Sequence, residues 1–195
     1  MAIQVAEESA RDGFETLLVS ADLRRAHAPQ LLGVPRSPGL TELVAALEDD
    51  GGAAEALVAE VVQRAPASRG APHLHILPAG SEVANPTALL TGAAFSSLFE
   101  ELRRSRYRFV LVDGPPLLTG IDGPLLARQV DGVAAVCRYD RMSPARAAEL
   151  GDVLQRLHAP VLGLVALGGR GREFVPSVLG LPPRPLNEPH STAGA

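Results

Sequence analysis

The sequence predicts an α/β protein with a doubly wound, mostly parallel sheet flanked by helices. Short apolar runs typical of strands alternate with segments of helical periodicity, which is the order that produces parallel strands joined by crossover helices. The predicted strands are 16–20, 73–77, 109–113, 132–137 and 161–166. Most of these runs are apolar on both faces and do not alternate, which indicates strands covered by helices on two sides.

Helices are predicted where apolar residues recur three and four positions apart. Two such rows are Phe95, Leu98, Phe99, Leu102 and Leu150, Val153, Leu154, Leu157. Ser143 and Pro144 precede the second row and are typical of an N-cap and a first helical turn. Thr41 is predicted to cap a helix over 42–48, and a further helical segment is predicted at 53–64.

Length and composition predict one domain. A chain of 195 residues that is 46% hydrophobic can bury a single core, which we place at residues 1–181. Residues 182–195 contain four prolines and no aromatic residue, and we expect them to be disordered. The net charge of −4 does not favour nucleic acid, and no apolar run approaches the ~18 residues of a membrane span. We therefore expect a cytoplasmic protein.

The basic residues are all of one kind. All 18 are arginine, and the sequence contains no lysine. This excludes a Schiff-base lysine, a lysine general base and the lysine with which a Walker-type phosphate loop contacts the β and γ phosphates. Nucleotide chemistry in this sequence would have to proceed without that ammonium group.

Two acidic residues follow predicted strands directly. Asp22 comes after the strand at 16–20, and Asp113 ends the strand at 109–113. Ligands bind beyond the carboxyl ends of the strands in an open parallel sheet. Two carboxylates placed there suit Mg²⁺, bound directly or through water. The alternative is that Asp113 merely caps a turn, which Gly114 and the prolines after it would favour.

Five segments, in this order and spacing, resemble the bacterial tyrosine kinases that partner chain-length determinant proteins in capsule and exopolysaccharide export. They are "LLVSADLRRA", "GLTELVAAL", "LHILPAGSEVANPTALL", "FVLVDGPPLL" and "VDGVAAVCRYDRMSPARAAELGDVLQRLHAPVLGLV". The resemblance covers about residues 1–167. Plasmid-partition and septum-site ATPases share the fold and the two acidic strand ends, but not the "LPAG…NPTALL" segment.

The resemblance implies ATP and Mg²⁺ as cofactors and assigns roles to three residues. Asp22 and Arg24 fall on the second acid and the arginine of the family's first acidic motif. Asp113 falls on the Mg²⁺-associated acid of its Walker B strand. By resemblance, Asp22 and Asp113 are therefore the catalytic and metal-binding candidates, and Asp22, Arg24 and Asp113 are the cofactor-binding candidates.

The sequence also departs from the family pattern. Ser20 stands where the family has its first aspartate, and Leu167 stands where it has an asparagine that recognises adenine. The family ends in a run of tyrosines, whereas this sequence contains only Tyr107 and Tyr139. These departures predict a chain that is not its own substrate and whose nucleotide site is vestigial.

The largest departure concerns the phosphate loop. Residues 1–13 resemble only the helix that follows this loop in the family, so the strand before the loop has no counterpart in the sequence. That strand lies in the middle of the family's sheet, and each buried amide left without a partner costs about 1–3 kcal/mol. Three outcomes would avoid this cost. The flanking strands close up, a second chain supplies the missing strand, or residues upstream of Met1 supply it. We expect one of the last two outcomes.

These observations favour a degenerate or N-terminally truncated relative of the kinases that acts as a regulatory or binding module in exopolysaccharide biosynthesis. Its expected partner is a chain-length determinant membrane protein or a kinase paralogue, which would place it at the inner face of the membrane, and a homo-oligomer is a further option. One alternative is an active ATP-dependent protein-tyrosine kinase whose phosphate loop lies outside this sequence. Another is a relative of the partition-type ATPases.

Overall fold

A computed structural model describes residues 1–50, 54–66, 69–157 and 159–168 of the chain. The helices are α1 (Ala2–Arg11), α2 (His27–Leu32), α3 (Leu40–Asp50), α4 (Ala54–Val61), α5 (Pro86–Thr91), α6 (Ala93–Arg104), α7 (Asp122–Ala127) and α8 (Pro144–Arg156). The strands are β1 (Thr16–Ser20), β2 (Gln63–Arg64), β3 (Leu74–Leu77), β4 (Phe109–Asp113), β5 (Val133–Arg138) and β6 (Val161–Leu167). The predicted tail at 182–195 lies outside the described residues.

The α/β fold class is confirmed, and each of the five predicted strands is present within about a residue of its predicted bounds. Ser143 caps α8 as predicted, because its hydroxyl accepts a hydrogen bond from the amide of Arg146 at 3.3 Å. The prediction for Thr41 is wrong. Helix α3 begins at Leu40, two residues before the predicted start, so Thr41 lies inside it, and the carboxylate of Glu42 accepts a hydrogen bond from the amide of Gly39 at 2.8 Å.

The strands form two separate sheets. In the larger one β1 lies between β3 and β4 and runs parallel to both, while the short β2 is antiparallel to β3. Strands β5 and β6 form a parallel pair of their own. In the described part of the chain, β4 and β5 are not hydrogen-bonded to each other, so the flanking strands have not closed up.

The larger sheet is buried on both faces, as its continuous apolar strands predict. Leu17 and Val19 of β1 belong to the main core, where α3 and α6 pack, while Leu18 joins a second cluster that includes residues of α1 and α2. The same prediction is wrong for β5 and β6. Among the described residues, α8 covers one face of this pair, whereas Val136 and Leu162 are 48% and 74% exposed.

The described helices are short. The longest of them, α8, has 13 residues, and none in the described part of the chain combines the length and hydrophobicity needed to span a membrane.

Candidate functional site

The two predicted acidic residues lie at the same edge of the larger sheet. Strands β1 and β4 are neighbours, and their register pairs Ser20 with Asp113. The amides of Ala21 and Asp22 both donate to the backbone carbonyl of Asp113, at 2.9 and 3.0 Å. The structure therefore brings Asp22 and Asp113 together at the carboxyl ends of two parallel strands, where an open α/β sheet binds its ligands.

The charge of Asp113 is poorly stabilised in this position. Burial raises the pKa of its carboxyl group, and repulsion from the Asp22 carboxylate raises it further, although the Met1 ammonium and His27 act in the opposite direction. The carboxyl edge thus holds two carboxylates, and an amino group and an imidazole act electrostatically on one of them.

Helix α1 directs its amino end towards this edge. Its buried face, which includes Ala6 and Ala10, packs on the larger sheet. The ammonium of Met1, at the start of the helix, acts on the carboxylate of Asp113. The positive end of a helix dipole and its free amide groups favour negative charge, so α1 partly compensates the carboxylates.

Ser20 contributes a hydroxyl that has no partner. The residue is 1% exposed, and its Oγ makes no hydrogen bond to the described part of the protein. A buried hydroxyl of this kind costs free energy unless water or a ligand satisfies it. In the register of the sheet, Ser20 lies opposite Asp113 at the paired ends of β1 and β4.

The side chains of Asp22 and Arg24 also have local roles. One carboxylate oxygen of Asp22 accepts a hydrogen bond from the amide of Arg25 at 3.0 Å, so this residue caps a turn as well as lying at the edge. Arg24, expected at the cofactor, instead donates from Nε to Oδ2 of Asp122 at 2.8 Å. The hydroxyl of Thr87 binds the other oxygen of Asp122 at 2.6 Å.

The comparison with known sequences identifies the relatives of this chain. No protein-family model matches it. EpsB of Ralstonia solanacearum, which is named for tyrosine-protein kinase activity, is 31% identical over 156 residues, or 80% of this chain and 19% of EpsB. The tyrosine-protein kinase CpsD of Streptococcus agalactiae is 25% identical over 157 residues, or 80% of this chain and 63% of CpsD. The chain is a homologue of the bacterial tyrosine-protein kinases.

Solved structures support the same relationship. The VpsO kinase domain is 27% identical with a TM-score of 0.71, and the match covers 85% of this chain and 75% of that domain. The kinase domain of Escherichia coli tyrosine kinase ETK has a TM-score of 0.73 at 22% identity, covering 89% of this chain and 65% of that one. MinD of Pyrococcus horikoshii, solved with Mg-ADP, shares the fold at a TM-score of 0.59. The kinase-like chain spans about a fifth of EpsB and less than two thirds of CpsD.

The residues of this kinase-like domain fit a magnesium ion only in part. Asp22 and Asp113 supply carboxylate oxygens at one edge, and Ser20 supplies a hydroxyl. Among the described residues, no group of three or more His, Cys, Asp or Glu side chains is arranged to hold a metal. The 195 residues contain no lysine, the residue with which a Walker-type phosphate loop contacts the β and γ phosphates.

Sequence patterns did not reveal Asp122. The residue is 7% exposed. Burial alone raises the pKa of its carboxyl group, but the hydrogen bonds from Thr87 and Arg24 outweigh that effect and bring the pKa below its usual range. It joins the loop after β1 to α5 and α7. A lone acid in "TGIDGPLL" carries no local pattern that distinguishes it, because its partners lie 35 and 98 residues away.

Proposed function

We propose that this kinase-like chain is a degenerate relative of the tyrosine kinases that works as a regulatory or binding module in exopolysaccharide or capsule assembly. The single observation that carries the proposal is Ser20, a neutral and unpartnered hydroxyl at the strand end where the family resemblance places an aspartate. A hydroxyl cannot act as a general base near neutral pH without help, and it adds no charge to a metal site.

The electrostatics of the edge support the same proposal. Burial raises the pKa of Asp113, and repulsion from the Asp22 carboxylate raises it further. An ATP molecule would add several negative charges to this edge. The compensating groups are the Met1 ammonium, His27 and the amino end of α1, and the sequence offers no lysine.

The direct test uses the purified 195-residue chain. We expect isothermal titration calorimetry with ATP and MgCl₂ to detect no binding, and we expect neither ATP hydrolysis nor phosphate transfer to a tyrosine-containing peptide. Saturable ATP binding that Asp113→Asn weakens and Asp131→Asn leaves intact would overturn the proposal. Asp131 is the matched control because its carboxylate is 91% exposed and lies away from the carboxyl edge.

The proposed partner is a chain-length determinant membrane protein or a kinase paralogue, and such a partner would hold the chain at the inner face of the membrane. The test is co-expression of the chain with a chain-length determinant protein from the same polysaccharide gene cluster, followed by purification through a tag on that protein. Stoichiometric recovery of the chain supports the proposal. Quantitative loss of the chain in the flow-through counts against this partner.

A second function is favoured by one observation, the convergence of Asp22, Asp113 and the amino end of α1 at a single edge. This arrangement suits an ATP-dependent protein-tyrosine kinase whose phosphate loop lies outside these 195 residues. Reading the coding DNA ahead of Met1 separates the two functions. An in-frame glycine-rich stretch that ends in Gly-Lys-Ser or Gly-Lys-Thr supports the active kinase, and a stop codon before any such stretch supports the regulatory module.

A further inference from the structure

Helix α7 has apolar residues on two sides. One side is buried and includes Leu126 and Ala127, which are 5% and 4% exposed. The residues of the other side recur three and four positions apart, and they are Ile121, Pro124, Leu125 and Arg128. Apolar residues with this spacing usually face a packed surface. In the described part of the chain, however, Ile121 is 62% exposed.

A groove of about 300 Å³ lies between this second side of α7 and the end of α8. Helix α8 contributes its last residue, Arg156, and Leu157, which follows it. One benzene molecule fills an apolar cavity of about 150 Å³, so the groove has room for about two apolar side chains. We call it the α7–α8 groove.

Two arginines flank the apolar residues of the α7–α8 groove. Arg156 donates from Nε to the backbone carbonyl of Asp152 at 2.9 Å, and Arg128 is exposed. Neither guanidinium pairs with a carboxylate of the described residues. Positive charge beside an apolar surface is complemented by a ligand that brings acidic groups next to its own apolar groups.

The openness of the groove favours a protein as the ligand. Sites for small molecules bury about 70–90% of the ligand surface, and a groove that leaves Ile121 mostly in solvent does not enclose a ligand to that degree. A groove between helices is instead a common docking place for an amphipathic helix, whose apolar row packs between the side chains of the two helices.

We propose that the α7–α8 groove binds an amphipathic helix of a partner protein. The bound helix has bulky aliphatic residues three and four positions apart, which pack on Ile121, Leu125 and Leu157, and glutamate or aspartate residues beside that row, which pair with Arg128 and Arg156. This surface goes beyond the regulatory role proposed above, because it requires no nucleotide and would serve an active kinase equally.

The test measures fluorescence anisotropy with the full 195-residue chain. The probe is the peptide fluorescein-Gly-Ser-Leu-Glu-Ala-Leu-Leu-Glu-Ala-Leu-Glu-Ala-amide, which has leucines at the required spacing and glutamates beside them. We expect saturable binding with a Kd below about 1 mM. The same peptide with lysine at every glutamate position should bind at least about fivefold more weakly, because it brings positive charge to two arginines.

Substitutions in the chain locate the site. Ile121→Asp should weaken binding about tenfold or more, and it preserves α7 because aspartate is a favoured N-cap residue at this position. The matched control is Leu31→Asp on α2, where the leucine is 61% exposed, and it should bind like the native chain. Arg128→Gln combined with Arg156→Gln should abolish the preference for the glutamate peptide, whereas Arg146→Gln, at an exposed position of α8, should retain it.

Four results would overturn the proposal. The glutamate peptide does not bind, or the lysine peptide binds equally well. Leu31→Asp weakens binding as much as Ile121→Asp does. In the chain alone, NMR shows contacts between the Leu125 methyl groups and residues after 168, which would mean that the same chain fills the groove. The chain forms a dimer that Ile121→Asp dissociates, which would make the ligand a second copy.

Discussion

Glu42 offers the sharpest test of how the loops around the core are held. Its carboxylate accepts hydrogen bonds from the amide of Gly39 at 2.8 Å, the amide of Ser81 at 2.9 Å and the hydroxyl of Ser37 at 3.0 Å. Ser37 and Gly39 belong to the loop before α3, and Ser81 belongs to the loop after β3. One carboxylate thus joins two loops, and Glu42→Gln removes its charge while almost preserving its shape.

The magnitude follows from the pKa. Burial alone raises the pKa of Glu42, but the hydrogen bonds from Ser81 and Gly39 outweigh that effect and lower it from 4.5 to about 2. At about 1.4 kcal/mol per pKa unit, this corresponds to an upper limit of about 3 kcal/mol. Because Glu42 is partly exposed, screening reduces the expected loss for Glu42→Gln to about 1–2 kcal/mol at pH 7, or a Tm lower by about 2–8 °C.

The pH dependence gives a second, independent measurement. The folded pKa is lower than the unfolded one, so the stabilisation is fully present above pH 4.5 and is lost as the pH falls towards 2. We expect the difference in unfolding free energy between the native chain and Glu42→Gln, measured by urea titration and circular dichroism, to shrink to about half by pH 3. The matched control is Glu149→Gln, on an exposed position of α8. Equal stability of Glu42→Gln and the native chain at pH 7, or a difference that does not change with pH, would refute this account.

Three further substitutions test other contacts by thermal unfolding. Gly80→Ala should lower the free energy of unfolding by about 1–3 kcal/mol, because Gly80 has a φ of +87° and an added Cβ would meet Thr41 and Glu42. The control is Gly163→Ala, where nothing lies within 4 Å of an added Cβ, and it should change stability by less than about 0.5 kcal/mol. Asp122→Ala should cost about 2–3 kcal/mol, because it leaves the Thr87 hydroxyl and the Arg24 guanidinium without their acceptor, and an unchanged Tm would contradict the contacts described. Asp113→Asn should raise the Tm at pH 7. Burial and the Asp22 carboxylate raise the pKa of Asp113, which makes its charged form unfavourable in the folded chain. A lower Tm would contradict this.

The features that the sequence predicted correctly have strong local patterns. Strands β1 and β4 are largely apolar runs, and α6 and α8 repeat apolar residues over about two turns. The meeting of Asp22 and Asp113 followed from a general property of parallel sheets, which gather the carboxyl ends of their strands at one edge. Such properties need no knowledge of distant contacts.

The features that the sequence did not predict depend on distant contacts or on very short elements. Helices α2, α5 and α7 have six residues each, too few to show a helical period. The pairing of Arg24 with Asp122 joins residues 98 positions apart. The exposed face of β5 and β6 was missed because an apolar run looks the same whether one or two of its faces are covered.

The absence of lysine gives this edge of the molecule an experimental handle. With only arginine among its basic side chains, the 195-residue polypeptide carries a single primary amine, the α-amino group of Met1. That amine lies within electrostatic reach of Asp113. A succinimidyl ester dye would therefore attach at one place, beside the paired strand ends, and its emission would report on whatever binds there without any engineered residue.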